Sequence, residues 1–266
     1  MSDGTPHSSR ISGRPTAGWR DELGLALVFL TRLPWPGRLP ADRPLMAAAW
    51  AFPLAGAAVG AVAALGLWVA DRLGLPAPLA ALAAVGAAIL VTGALHEDGL
   101  ADVADGFGGG HDPEAKRRIM RDSRIGSYGV LALVLAVAAK LLGLVALADL
   151  ETMAAALVAA HSLGRAVIPA LACWLPPAAT DGRGREAGRP DPLGALWAAG
   201  IGTAVALLVL PGGIGLAAAL AAGTAALAVG WLALRQIGGA TGDVFGAAEQ
   251  AAEVATLLAV VSYLGA

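Results

Sequence analysis

The chain has 266 residues, 57% hydrophobic and 14% charged, with a formal net charge of −2 and a mean hydropathy of +0.69. That balance excludes an ordinary soluble domain, whose surface needs more polar side chains. A single cysteine, Cys173, excludes an internal disulfide and a cysteine metal cluster, and the small net charge by itself points to no partner.

Residues 1–17 are polar, contain Gly, Pro and Ser, and are expected to be disordered. No A-x-A site follows a short apolar core, so no removable signal peptide is expected. The apolar run Leu23 to Leu30 is too short to cross a bilayer. It suits a helix lying in the membrane interface, with Trp19 and Trp35 as anchors.

Seven longer apolar runs follow, near 45–70, 77–95, 127–148, 152–175, 193–211, 213–234 and 244–265. The predicted fold is therefore all-α: a polytopic integral membrane bundle of about seven transmembrane helices behind an N-terminal interfacial helix, with 18–266 forming one domain. With the N-terminus in the cytoplasm, fifteen of the eighteen Lys and Arg residues fall on the cytoplasmic side. Arg72 alone falls outside, and Lys140 and Arg165 lie within spans. This asymmetry supports both the orientation and the span count. Small residues such as Gly56 and Gly60 recur at the spacing of close helix packing.

The second span runs into "HEDGLADVADGFGGG", residues 96–110. Taken as a helical continuation of that span, it places Asp98, Asp102 and Asp105 on one stripe, with Glu97 about a quarter-turn away and His96 on the far side. Three carboxylates on a stripe repel one another unless a cation or protons neutralise them. Oxygen-only ligands favour a hard divalent cation such as Mg²⁺. The basic segment 111–129 comes next, and its "RDSRIGSYG" contains Arg121, Ser123 and Arg124. Arginines following an acidic metal stripe suit a phosphate-bearing substrate.

Arg165, with His161 one turn earlier, lies inside a span and requires a partner, either a substrate phosphate or a carboxylate such as Glu249 or Glu253. Asp243, in "GGATGDVFGAAEQAAE", opens the last span on the same side as the acidic stripe. It is expected either to complete the metal site or to cap the helix, in competition with Thr241. The 180–191 loop, rich in Gly and Arg, reads as a cytoplasmic connector or, alternatively, a substrate lid.

These three motifs, together with the early "FLTRLPWP", resemble the cobalamin synthase family, also called adenosylcobinamide-GDP ribazoletransferases. The resemblance runs from about residue 20 to the C-terminus. It implies a Mg²⁺-dependent enzyme, with 18–266 as its catalytic domain, in the cytoplasmic (inner) membrane. That enzyme joins adenosylcobinamide-GDP to α-ribazole or its 5′-phosphate, releasing GMP and forming adenosylcobalamin or its phosphate. Glu97, Asp98, Asp102 and Asp105 occupy the family's acidic motif. Arg121, Asp122, Ser123, Arg124 and Gly126 occupy its "RDSRIG" motif, and Thr241, Gly242 and Asp243 its "TGD" motif. The implied metal ligands are Glu97, Asp98, Asp102, Asp105 and Asp243. Asp105 or Asp243 is the candidate general base, and Arg121, Ser123, Arg124 and Arg165 are the candidate phosphate ligands.

One departure stands at Glu249–Gln250, where the family pattern has Asn near "GAANE". The "DVADG" segment also faintly resembles the CDP-alcohol phosphotransferases, but the rest of their signature does not follow. A homo-oligomer is compatible with the sequence, membrane lipid is the expected surrounding, and nothing points to nucleic acid. The competing readings are a secondary transporter using the acids for a coupling ion, a CDP-alcohol phosphotransferase making lipid, and a membrane scaffold.

Overall fold

The computed structural model describes residues 18–37, 39, 43–147, 149–178 and 188–265. The expected disordered segment 1–17, and most of the 180–191 loop, lie outside the described residues. The chain forms α1 (Trp19–Leu30), a 3₁₀ segment (Leu45–Ala51), α2 (Phe52–Arg72), α3 (Ala77–Thr92), α4 (Leu95–Gly109) and α5 (Pro113–Met120). It continues through α6 (Ser127–Val145), α7 (Leu150–Trp174), α8 (Pro192–Val209), α9 (Ile214–Ile237) and α10 (Gly242–Leu264).

Six helical segments are long and apolar enough to cross a membrane, and the bent pair α3–α4 makes up to a seventh. The large side chains that remain uncovered are mostly apolar. Leu131, Val134, Leu135 and Leu142 on α6, and Leu208, Leu220 and Leu227 on α8 and α9, are all more than half exposed. Such faces belong against lipid.

α7 is the central helix, and its most extensive partner is α2. The expected small-residue packing is present here. A Cβ on Gly56 would lie 2.1 Å from the His161 carbonyl oxygen, and one on Gly60 would lie 2.5 Å from the Val158 Cα. Backbone rests on backbone, so neither contact can yield without moving a helix. Gly56→Ala is expected to lower stability by roughly 1–3 kcal/mol, measured as a fall in the unfolding midpoint in detergent. An unchanged midpoint would mean that α2 and α7 are not seated this closely.

α1 forms as expected, with Trp19 63% exposed. Glu22 pins the helix to the following segment by accepting from Arg43 and from the Trp50 indole. Trp35, the second expected anchor, packs over α1, and its indole occupies the space a Cβ on Gly24 would need.

The principal correction concerns the second span. Residues 95–109 are helical, but they do not continue α3: the axis turns by 91° between Thr92 and Leu95. Gly93 (φ 70°) and Ala94 (φ 59°) are both left-handed, and Ala94 is the one non-glycine with positive φ among the described residues. Two such residues in succession end α3 and re-aim the chain, at a strain of about 1–2 kcal/mol for the alanine. Arg32 seals the break, with its amide donating to the Val91 carbonyl at 2.6 Å and its guanidinium filling the space over Gly93. α4 thus crosses one end of the bundle instead of spanning it.

Candidate active site

α4 is held across the bundle by contacts that only glycines permit. A Cβ on Gly99 would meet the Asp243 carbonyl at 2.9 Å and Gly246 Cα at 3.2 Å, so α4 and the start of α10 touch at a glycine–glycine crossing. That crossing brings Asp243 beside Asp98 and Asp102, although the sequence separates them by about 140 residues. Asp98 is exposed, and Asp102 and Asp243 are half-buried.

Partial burial and the charges of Asp98, Asp243 and Asp105 push the Asp102 carboxyl up to about 6. The α10 N-terminus is capped by Thr241, whose hydroxyl accepts from the Val244 amide and donates to Asp243 Oδ2 at 3.2 Å. Asp243 is therefore not consumed as the cap.

The basic segment lies alongside. The C-terminal glycines of α4 admit it closely: Gly106 faces Met120, Gly108 faces the Tyr128 ring and Gly110 faces Lys116. Lys116 donates to Gln236, and Arg117 donates to the Ile237 carbonyl at 3.1 Å, so these two anchor α5 to the end of α9. Arg121 lies close enough to Asp243 to interact with it electrostatically. Arg124 and Ser123 are exposed. Arg124 forms a two-pronged pair with Asp122, at 2.7 and 3.1 Å, which holds the Asp122 carboxyl down at about 2.

The remaining candidates are held by other partners. Asp105 is buried, with both carboxylate oxygens taken by backbone amides. Arg165 is 1% exposed and belongs to a second, buried layer beneath α4. There it pairs with Glu249 and Glu253, and it lies 3.0 Å from His161 Nδ1 and 3.3 Å from His96 Nδ1. Lys140 completes the layer by pairing with Glu253, donating to Gln250 at 2.8 Å and lying 3.8 Å from Glu97. Gln250 donates to Glu97 at 3.2 Å and to Glu249 at 2.9 Å, and so ties the first turn of α4 to α10. His96, expected on the side away from the acidic stripe, lies there, buried in this layer. Its part, and that of Gln250, were signalled in the sequence only by polar residues beside apolar runs.

Among the described residues, the one trio of candidate ligand atoms within 4.8 Å of one another is His161, Glu249 and Glu253. A cation already occupies that position, since the Arg165 guanidinium lies between the two carboxylates. Asp98, Asp102 and Asp243 form no such tight trio. Their oxygen-only set fits an open site, of the kind in which Mg²⁺ shares its shell between one or two carboxylates and substrate phosphates.

The profile of the cobalamin-5-phosphate synthase family matches residues 22–261. The chain belongs to that family. A Bradyrhizobium diazoefficiens protein named adenosylcobinamide-GDP ribazoletransferase is 45% identical over 91% of this chain and 94% of its own length. Proteins of the same name from Mesorhizobium japonicum and Azorhizobium caulinodans are 47% and 46% identical over 90% and 91% of the chain. No solved structure matches. Family membership makes the chain a transferase of cobalamin biosynthesis.

Proposed function

We propose that the chain joins adenosylcobinamide-GDP to α-ribazole, or to its 5′-phosphate, at the cytoplasmic face of the inner membrane. The observation that carries this reading is the meeting of Asp98, Asp102, Asp243 and Arg121 at one end of the bundle, in a chain of this family. A ribazole hydroxyl oxygen attacks the phosphorus that stays with the corrinoid. A new P–O bond forms, the P–O bond to GMP breaks, and GMP leaves with the bridging oxygen.

Asp98 and Asp102 are the residues that would hold Mg²⁺. When bound, the ion supplies positive charge to the diphosphate oxygens. Arg121 and Arg124 take the remaining oxygens, and Ser123 donates to one of them. Asp243, free of capping duty, accepts the hydroxyl proton. Arg165 serves this site from below by fixing α7 and α10, and Glu97 joins that support through Gln250.

The reading is tested by turnover in membranes carrying the chain, with adenosylcobinamide-GDP and α-ribazole, in Mg²⁺ or EDTA. GMP and the cobalamin product are expected together, and only with Mg²⁺. Product formation undiminished by EDTA would remove the metal from the scheme. No product from inserted protein would remove the reaction, and a cytidine nucleotide or vesicle flux assay would then take precedence.

A further inference from the structure

Segment 121–126 carries the side chains proposed to meet the substrate's phosphates, yet it is a connection between α5 and α6, and connections move unless they are tied. Asp105 ties it. Its Oδ2 accepts from the Gly126 amide at 2.7 Å and its Oδ1 from the Gly129 amide at 2.8 Å. Gly126 is the residue at the head of α6 and has no side chain to cap it. A carboxylate from α4 therefore caps α6 across the interface between the two helices.

The charge of Asp105 is already answered by two amide dipoles and by the positive end of α6. A divalent ion bound there would face donors of its own sign. We infer that Asp105 is a positioning residue: it clamps the arginine-bearing loop against the acidic stripe and leaves cation binding to Asp98 and Asp102. The inference rests on the reading above, in which those aspartates hold Mg²⁺ and the loop arginines hold phosphate.

The glycines of "RIGSYG" carry an independent sign of the same clamp. A Cβ on Gly126 would lie 2.4 Å from Asp105 Oδ1, and one on Gly129 would lie 2.4 Å from Oδ2. Neither glycine has a positive φ, so the need for glycine here is steric. Only hydrogen fits between the α6 backbone and the carboxylate.

The test compares Asp105→Asn, Gly126→Ala and Gly129→Ala with Asp102→Asn, using the full chain in detergent. Amide hydrogen exchange over 121–129 is read without substrate, and the Mg²⁺ dependence of transfer is read in membranes. In the three clamp variants, exchange over 121–129 is expected to rise about tenfold or more while the spanning helices stay protected. Turnover falls by about a hundredfold through misplacement of the loop, and the Mg²⁺ concentration for half-maximal rate stays within about twofold of wild type. In Asp102→Asn, exchange over 121–129 stays as in wild type and the Mg²⁺ response is lost.

The inference is overturned if Asp105→Asn raises the Mg²⁺ requirement tenfold or more with the loop still protected, or if both glycine variants keep wild-type exchange. Absence of any Mg²⁺ response in the wild-type chain would remove the metal reading alone. The exchange data would still decide the clamp.

Discussion

Asp102→Asn is expected to lower transfer by about three orders of magnitude while the chain inserts and unfolds as before. Asp102 is the aspartate most crowded by like charge, with Asp98 on its own helix and Asp243 across the glycine crossing. Removing its charge relieves repulsion in the empty protein, so stability has no reason to fall. What is lost is a cation ligand where the diphosphate's charge must be met. The measurement is GMP release from membranes, normalised to inserted protein, with the unfolding midpoint taken in parallel. Turnover within about tenfold of wild type would remove Asp102 from the metal site.

Arg165→Met is expected to act on stability instead. It leaves Glu249 and Glu253, 0% and 1% exposed, without the guanidinium that pairs with both. Breaking a buried pair from one side typically costs about 3–5 kcal/mol, because the surviving charge stays buried. Lys140 still answers Glu253, so Glu249 suffers most. The variant should unfold at a markedly lower temperature in detergent, and adding Glu249→Gln should restore part of the loss. If Arg165→Met keeps the wild-type midpoint but loses turnover, Arg165 touches substrate and the buried-layer role fails.

Much of the bundle was readable because lipid leaves backbone groups few choices: long apolar runs become helices, and their ends fall within a few residues of the predicted ones. The acidic stripe was readable for a similar reason, since the helix period alone puts Asp98, Asp102 and Asp105 on one side. The bend was not. Gly93 is an ordinary helix terminator, but Ala94 carries no signal for the left-handed conformation it adopts. The special position of Asp105 was hidden for a different reason. Its spacing matches that of its two neighbours, and only the arrival of the α6 backbone sets it apart. Arg165 lay between these cases: its need for a partner was evident from its place inside an apolar span, but which partner it takes is a matter of tertiary packing.

The bend has a consequence for the surrounding bilayer. α3 has 16 residues, about 24 Å at 1.5 Å per residue, whereas the hydrocarbon core is about 30 Å thick. A straight helix of that length is about 6 Å short of the full core, and the turn into α4 comes at its end. A span that short is matched by local thinning of the bilayer or by flanking side chains that reach the interface. Turnover in vesicles should therefore decline as the lipid chains are lengthened.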